Sequence, residues 1–283
     1  MSVRIIVDST TDLTPEVQAR MRVVPLTIHF GEEEYIDGVT ITGREFYEKL
    51  VESEVLPTTS QATPFAFEKE FRQAVEEGDE VFCLTISSTL SGTYQSACIA
   101  AEEFPGKVFV VDSQNVAIGA GILAQYALEQ AQKGLSAEEI AWKVMQKRDS
   151  VRIVALLDTL EFLKRGGRIS KTAAIAGSLL SIKPVLCVKD GEIQVVGKAR
   201  GSRQGNNLLI QEIRKSGGVD FDKPVLLVYT GLSDALLLKY MEDSRALWAD
   251  HRDSLPYALV GSVVGTHAGP GAVAVAFFAR EAE

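Results

Sequence analysis

Short apolar runs alternate with amphipathic helical patterns through the first 150 residues of the chain. Strands are predicted at 3–7, 23–30, 80–86 and 107–111, and helical segments lie between them. Parallel strands cannot be joined by a tight turn and need a crossover, which is usually a helix. The alternation therefore predicts an α/β fold with a parallel sheet that carries helices on both faces.

The second half of the chain has a different pattern. Helical patterns occur at 160–164, 171–176, 204–215 and 234–248, and Asp190-Gly191 is a hairpin signal between two apolar runs. The strands predicted in this half are 151–157, 185–188, 193–196, 224–229, 257–264 and 272–278. Hairpins mixed with helices indicate a mixed or antiparallel sheet. We therefore predict two α/β domains, residues 1–150 and 151–283.

Composition and charge exclude several classes of protein. The net charge of −9 argues against a nucleic-acid-binding protein, because phosphate neutralisation demands a basic surface. No run of about 18 apolar residues occurs, and Met1–Asp8 is typical of a strand rather than of a signal peptide. The three cysteines lie in apolar contexts, as expected for free thiols in a reducing compartment. We therefore expect a cytoplasmic protein with no integral membrane association.

Metal and nucleotide sites have little support in the sequence. No CxxC pair occurs, and His29, His251 and His267 are far apart. No Walker A sequence occurs, so we do not expect the chain to bind ATP itself. Residues 119–124 match a GxGxxA pattern, but residues 112–116 separate it from its strand, and no second strand with a terminal acid follows. We predict no metal and no cofactor.

Four polar segments follow predicted strands and precede predicted helices. In open α/β sheets, ligands bind at the carboxyl ends of the strands. The four segments are 8–12, 58–64, 86–94 and 112–115. In the third segment, a helix N-cap at Ser91 would bring its hydroxyl and the N–H groups of Gly92 and Thr93 near one point. Those donors predict a small anion site, although an ordinary helix cap has the same pattern.

Nucleophilic catalysis is the alternative interpretation of this serine. Ser91 is not part of a GxSxG elbow, but a histidine could come from elsewhere, and His267 lies in a glycine-rich segment that suits a tight loop. No acidic partner can be assigned to orient His267, so a triad is unsupported. A hydrolase or transferase acting on a small acyl or phosphate substrate stays open, as does a plain anion-binding module.

A local basic cluster stands out in an acidic chain. Its members are Lys164, Arg165, Arg168, Lys171, Lys198, Arg200 and Arg203. Such a cluster is either a solvated face or a site for phosphate or an acidic partner, since arginine suits both.

Several segments, in this order along the chain, resemble the DegV family of fatty-acid-binding proteins. They are residues 7–13 (VDSTTDL), 59–61 (TSQ), 86–97 (ISSTLSGTYQSA), 160–170 (LEFLKRGGRIS) and 267–272 (HAGPGA). The resemblance covers essentially the whole chain. One departure is Ala62-Thr63, where the family often has Pro-Ser; a hydroxyl remains there and Pro64 is kept.

The resemblance implies a carrier protein that performs no chemistry itself. In that family, a long-chain fatty acid lies between the two domains, and its carboxylate is held at positions matching Thr59, Ser91 and Gly92, with His267 nearby. Some members present the carboxylate to a separate ATP-dependent fatty acid kinase subunit, which forms an acyl phosphate for phospholipid synthesis. Positions matching Arg168 and Arg203 are then expected to contact that partner or the phosphate.

Overall fold

The computed structural model describes residues 2–169, 182–248, 251 and 254–280. The strands are β1 Val3–Asp8, β2 Arg22–Val24, β3 Thr27–Phe30, β4 Glu33–Ile36, β5 Thr58–Ser60, β6 Glu80–Thr85, β7 Val108–Asp112, β8 Val151–Leu156, β9 Ile182–Lys189, β10 Glu192–Arg200, β11 Leu226–Tyr229, β12 Tyr257–Leu259 and β13 Val273–Phe278. The helices are α1 Pro15–Gln18, α2 Gly43–Glu52, α3 Pro64–Glu76, α4 Thr93–Ala101, α5 Ile118–Gln132, α6 Ala137–Arg148, α7 Glu161–Arg165, α8 Gly201–Lys215, α9 Ala235–Asp243, α10 Arg245–Trp248 and α11 Ser262–Ala268. The helix predicted at 171–176 lies outside the described residues.

The described residues form three sheets, and the predicted mixed α/β architecture is confirmed. A parallel sheet has the order β2-β1-β6-β7, and a small antiparallel sheet has the order β4-β3-β5. The third sheet has the order β10-β9-β8-β13-β11-β12 and is antiparallel except for the β11–β12 pair. Strand β6 is buried from Val81 to Thr85, as expected for a parallel strand covered on both faces.

The prediction of one strand over 23–30 is wrong. The chain leaves the parallel sheet after β2 and enters the antiparallel sheet at β3. Pro25 separates the two strands and has no N–H to continue the ladder, while the N–H of Leu26 donates to the Ser9 hydroxyl at 3.0 Å. The hydrogen bond at this break therefore holds the start of β3 against the polar segment that follows β1.

The hairpin between β9 and β10 has the turn that the sequence predicts. Asp190 and Gly191 have φ angles of +52° and +80°, as a type I′ turn requires at both central positions. The same turn touches the other half of the molecule, because the Thr89 hydroxyl donates to the carbonyl of Gly191 at 2.6 Å. The tip of this hairpin is thus fastened to the loop that precedes α4.

Two predictions near the C-terminus are wrong. The strand predicted at 257–264 ends at Leu259, and residues 262–268 form α11. The helix predicted at 234–248 is two helices that break at Ser244, whose hydroxyl donates to the Tyr240 carbonyl and accepts from the Trp248 indole. Local side-chain hydrogen bonds of serine compete with the helical ladder, which accounts for this break.

Helix α5 is buried between the parallel sheet and the six-stranded sheet. Its residues from Ile118 to Ala124 are all buried, and one apolar cluster joins Ile122 to Phe82 on one side and to Phe278 on the other. A helix that is apolar on all sides is a core helix. Strands β1–β7 and strands β8–β13 belong to different sheets, and one hydrophobic cluster includes residues of both sets of strands.

Two glycines explain the GxGxxA pattern at the start of α5. A Cβ at Gly119 would collide with the Asn115 side chain, and one at Gly121 would collide with the backbone carbonyl of Asp12. The glycines allow close packing of α5 on the segment after β1. Their role here is packing, which agrees with the interpretation that this is no nucleotide fingerprint.

Within the described residues, no helix has the length and apolar character of a bilayer crossing.

We predict that Gly121→Ala lowers the free energy of unfolding by about 1–3 kcal/mol, because backbone must shift to admit the methyl group. In an open helical position the same change would stabilise by up to about 1 kcal/mol. Gly43→Ala in α2 is the matched control, since its Cβ would make ordinary van der Waals contacts, with the Leu259 side chain at 3.4 Å and the Val260 carbonyl oxygen at 3.6 Å. Urea unfolding of both variants measures the difference; equal effects would contradict the packing argument.

Candidate functional site

A cavity of about 420 Å³ lies between loops of the parallel and small antiparallel sheets and the six-stranded sheet. We call it the first cavity. Its volume is within the range of about 300–1,000 Å³ that is usual for small-molecule sites. It has a polar end, where Thr59, Ser91, Gly92, Arg168 and His267 all lie. The structure therefore brings together five of the six residues that the sequence singles out.

Arg203, the sixth of these residues, does not line the cavity. It is exposed in the first turn of α8. Lys171, another member of the predicted basic cluster, lies outside the described residues. The basic cluster thus contributes Arg168 to the cavity, whereas Arg203 faces solvent.

The Ser91 hydroxyl lies at the start of α4, but the predicted N-cap is shifted by one residue. Gly92 is the N-cap, and the helix begins at Thr93. The Ser91 hydroxyl accepts a hydrogen bond from the Thr93 N–H at 3.3 Å and is hydrogen-bonded to the Thr93 hydroxyl at 2.9 Å. The positive end of the α4 dipole therefore faces the polar end of the first cavity.

Gly92 lies close against the side chain of Gln61. A Cβ at Gly92 would collide with the Gln61 amide, which donates to the Ser96 hydroxyl at 3.0 Å. The Gln61 side chain occupies the space beside Gly92 and fixes the segment after β5 against the start of α4. This contact holds Thr59 and Ser91 on the same wall of the cavity.

Thr59 and His267 form a hydrogen-bonded pair, with 2.9 Å between Oγ1 and Nε2. Burial, and to a smaller extent the charge of Arg168, lower the pKa of His267 to about 4, so the ring is neutral at pH 7. Nδ1 is buried and has no partner among the described residues. Since an unpaired buried N–H is rare, the proton belongs on Nε2, which donates to Thr59. The Thr59 hydroxyl then keeps its own proton for a ligand.

Arg168 connects the two halves of the molecule at the polar end. Its Nε donates to the carbonyl of Leu90 at 3.1 Å, and its Nη1 donates to the carbonyl of Gly166 at 2.6 Å. Gly166 lies against the His267 ring, where a side chain would collide with Nδ1. The segment after α7 therefore packs on both the Ser91 loop and the histidine.

The geometry does not form a nucleophile–base pair. His267 Nε2 is engaged by Thr59, and the Ser91 hydroxyl is engaged by Thr93. Among the described residues, no carboxylate is hydrogen-bonded to Nδ1 of His267, and no cluster of three or more acidic, histidine or cysteine side chains could hold a metal. The arrangement of these side chains is suited to binding an anion.

The whole chain matches a known protein family. Residues 2–280 match the sequence model of the DegV family, a group described as uncharacterised. The chain belongs to the DegV family. A DegV domain-containing protein of Deinococcus radiodurans is 37% identical over 281 residues, which are 98% of this chain and 98% of that protein.

Solved DegV structures share the fold of this DegV chain. A fatty-acid-binding DegV family protein from Thermus thermophilus has a TM-score of 0.85 and 34% identity over 98% of this chain and 100% of its own. A stearic-acid-binding protein from Eubacterium ventriosum has a TM-score of 0.82 and 28% identity over 97% of both chains. Fatty-acid binding is thus described for relatives across this family.

The apolar part of the cavity in this DegV chain was not predicted residue by residue. Its walls come from the six-stranded sheet and α11. They include Ile153, Ala155, Leu157, Leu186, Val188, Ile193, Val228, Val263, Val264 and Ala274. Residues 153, 155 and 157 lie on one face of β8 and its continuation, but Val154 and Leu156 on the other face are apolar as well and belong to a core cluster. No sequence pattern in or near β8 indicates that this face borders a cavity.

We predict that the His267 ring titrates near pH 4 and carries its proton on Nε2 at pH 7, as nitrogen NMR chemical shifts would record, with His267→Gln providing the assignment. Because the unfolded chain binds this proton more tightly (pKa about 6.5), stability is full above that pH and is lost as pH falls toward 4. Between pH 7 and pH 4.5, the free energy of unfolding of His267→Gln should fall by about 2 kcal/mol less than that of the parent protein. A ring charged at pH 6 would contradict the assignment.

Proposed function

We propose that this chain binds a long-chain fatty acid in the first cavity, with the carboxylate at Thr59 and Ser91 and the alkyl tail against the six-stranded sheet. The observation that carries the proposal is a cavity with donors at one end and apolar walls elsewhere. The fatty-acid-binding relatives from Thermus thermophilus and Eubacterium ventriosum support the same ligand class.

The tail supplies most of the affinity. A chain of about 16 carbons gains roughly 12 kcal/mol on burial, at about 0.8 kcal/mol per methylene. Association consumes several kcal/mol of this gain through lost translational and rotational freedom. An apolar wall that comes from several strands of one sheet therefore suffices for tight binding, and no ion pair with the acid is required.

The polar end fixes the orientation of the acid. A carboxylate taken out of water must be hydrogen-bonded, and the donors available are the hydroxyls of Thr59 and Ser91 and the N–H of Gly92, together with the α4 dipole. The neutral His267 ring supports Thr59 as a donor. Arg168 adds positive charge near this end of the cavity.

We propose further that the chain is a non-catalytic carrier that presents its carboxylate to a separate ATP-dependent fatty acid kinase subunit. The resemblance described above supports this role, as does the separation of the two arginines: Arg168 lines the cavity, whereas Arg203 is exposed on α8. An exposed arginine suits a partner or a phosphoryl group that approaches from outside.

Ser91→Ala and Thr59→Val should each weaken the binding of palmitate or oleate by about 1.5–3 kcal/mol, the range for a hydrogen bond to a charged group. Calorimetry on delipidated protein measures the change. Ser88→Ala is the matched control, because the Ser88 hydroxyl donates to Asp112 and does not line the cavity. Unchanged affinity in both site variants would count against the proposed head-group position.

Arg203→Ala should leave fatty-acid affinity unchanged and lower acyl phosphate formation by about tenfold when ATP and a fatty acid kinase subunit are supplied. Trapping with hydroxylamine measures the product. Arg214→Ala is the control, since Arg214 is exposed in the last turn of the same helix. If Arg203→Ala and Arg214→Ala behave alike, the partner does not use the start of α8.

Ester hydrolysis that Ser91→Ala abolishes would contradict a non-catalytic carrier.

A further inference from the structure

Two residues in the loop between β7 and α5 have backbone conformations that suit glycine. Gln114 has a φ angle of +49°, and Ala117 has a φ angle of +54° with a ψ angle of −131°. A residue with a Cβ is strained in this left-handed region, because the Cβ crowds the neighbouring backbone. Such strain persists only where the surrounding structure enforces it, and it is concentrated at functional sites.

Ala117 occupies the second position of a tight turn that leads into α5. The Gly119 N–H donates to the Val116 carbonyl at 3.0 Å, which closes a four-residue turn. The angles of Ala117 are close to those of the first central position of a type II′ turn, about +60° and −120°, where glycine dominates. Alanine therefore places a methyl group at a backbone position that glycine would adopt with less strain.

Hydrogen bonds to neighbouring elements hold this loop in its conformation. The Ser87 N–H donates to the carbonyl of Asn115 at 2.8 Å, and the Gln114 N–H donates to the carboxylate of Asp112 at 2.8 Å. Neither contact uses the Ala117 methyl group, so both would remain with glycine at position 117. The loop geometry thus explains the backbone angles of Ala117, but it does not explain why a side chain is present there.

The place of Ala117 in the fold gives its methyl group a use. Ala117 is buried and lines the first cavity, whereas Gln114 is not among the lining residues. On this side of the cavity it belongs to a group of apolar residues from the N-terminal half, namely Leu26, Ile86, Leu90, Val116 and Ala117. Because the cavity lies between these loops and the six-stranded sheet, residues on the loop side set the width that is left for an alkyl chain.

We propose that Ala117 is a specificity-determining residue, whose methyl group narrows the first cavity and excludes acyl chains that carry a methyl branch at that point. This inference rests on the fatty-acid binding proposed above. Packed walls do not yield to an extra methyl group without displacing their neighbours. One methyl or methylene group too many in an apolar pocket changes affinity by about 10–200-fold. The strain at Ala117 then serves the shape of the binding site.

Two control variants separate strain from cavity shape. Gln114→Gly relieves a left-handed backbone in the same loop without altering a residue that lines the cavity. Ala155→Gly removes a methyl group from a lining residue of β8, which is an extended strand where glycine brings no relief. Ala117→Gly should combine both effects, because it removes the strain and widens the cavity.

Urea unfolding and calorimetry on the delipidated full chain measure the two effects. Ala117→Gly and Gln114→Gly should each raise the urea midpoint by roughly 0.2–0.6 M, and Ala155→Gly should lower it. The ligands are palmitate and hexadecanoic acids with one methyl branch near the carboxyl group, at mid-chain or near the far end. In Ala117→Gly, one of the branched acids should gain about tenfold in affinity relative to palmitate. Gln114→Gly should keep the order of affinities of the parent protein.

Three results would overturn the inference. Ala117→Gly could keep the order of affinities of the parent protein, or Ala155→Gly could give the same gain for the same branched acid, which would make cavity volume alone responsible. A lower urea midpoint of Ala117→Gly would show that the methyl group stabilises the core. In each case palmitate binding by the parent protein leaves the proposed function standing, whereas a parent protein that binds none of these acids would refute that function itself.

Discussion

The hydrogen bond from the N–H of Gly261 to Asp12 joins residues 249 positions apart in the sequence, and the site depends on it. Asp12 follows the first strand, whereas Gly261 is the N-cap of α11, which carries His267 in its last turn. Burial raises the pKa of Asp37, and the backbone N–H groups of Ser262 and Val263 that face it act against this rise. Two carboxylates of the N-terminal half therefore place a helix of the C-terminal half, and that helix places the histidine against Thr59.

Other hydrogen bonds hold the donors of the first cavity in position. Thr59 is fixed by His267, Ser91 by Thr93, and the Ser91 loop by Arg168 and the β9–β10 turn. Donors that are held by other hydrogen bonds lose little entropy when an anion arrives. The polar end of the first cavity is therefore built from mutually hydrogen-bonded side chains, while the six-stranded sheet contributes much of the apolar wall.

Features that local chemistry determines could be predicted from the sequence. The capping box at Ser136 and Glu139, the helix start at Thr63-Pro64 and the turn at Asp190-Gly191 each depend on neighbouring residues, and each is present. Polar segments at strand ends also indicated the site, because the carboxyl ends of parallel strands meet at one edge. The side chains that line the apolar part of the cavity could not be identified, because the strands that carry them have the same apolar pattern whether they border a core or a cavity.

Helix α11 shows why the remainder could not be predicted. Val263, Val264 and Thr266 are β-branched, which favours a strand by propensity, and the N-cap residue, Gly261, has no side chain that could cap the first turn. What makes this segment helical is tertiary: the donors at its start are met by Asp12 and Asp37, and Gly265 allows it to pack closely on Phe46 and Tyr47. A helix whose cap comes from more than 200 residues away leaves no local signal. The residue that supports the proposed head-group site therefore lies on an element that propensity assigned to the wrong class of structure.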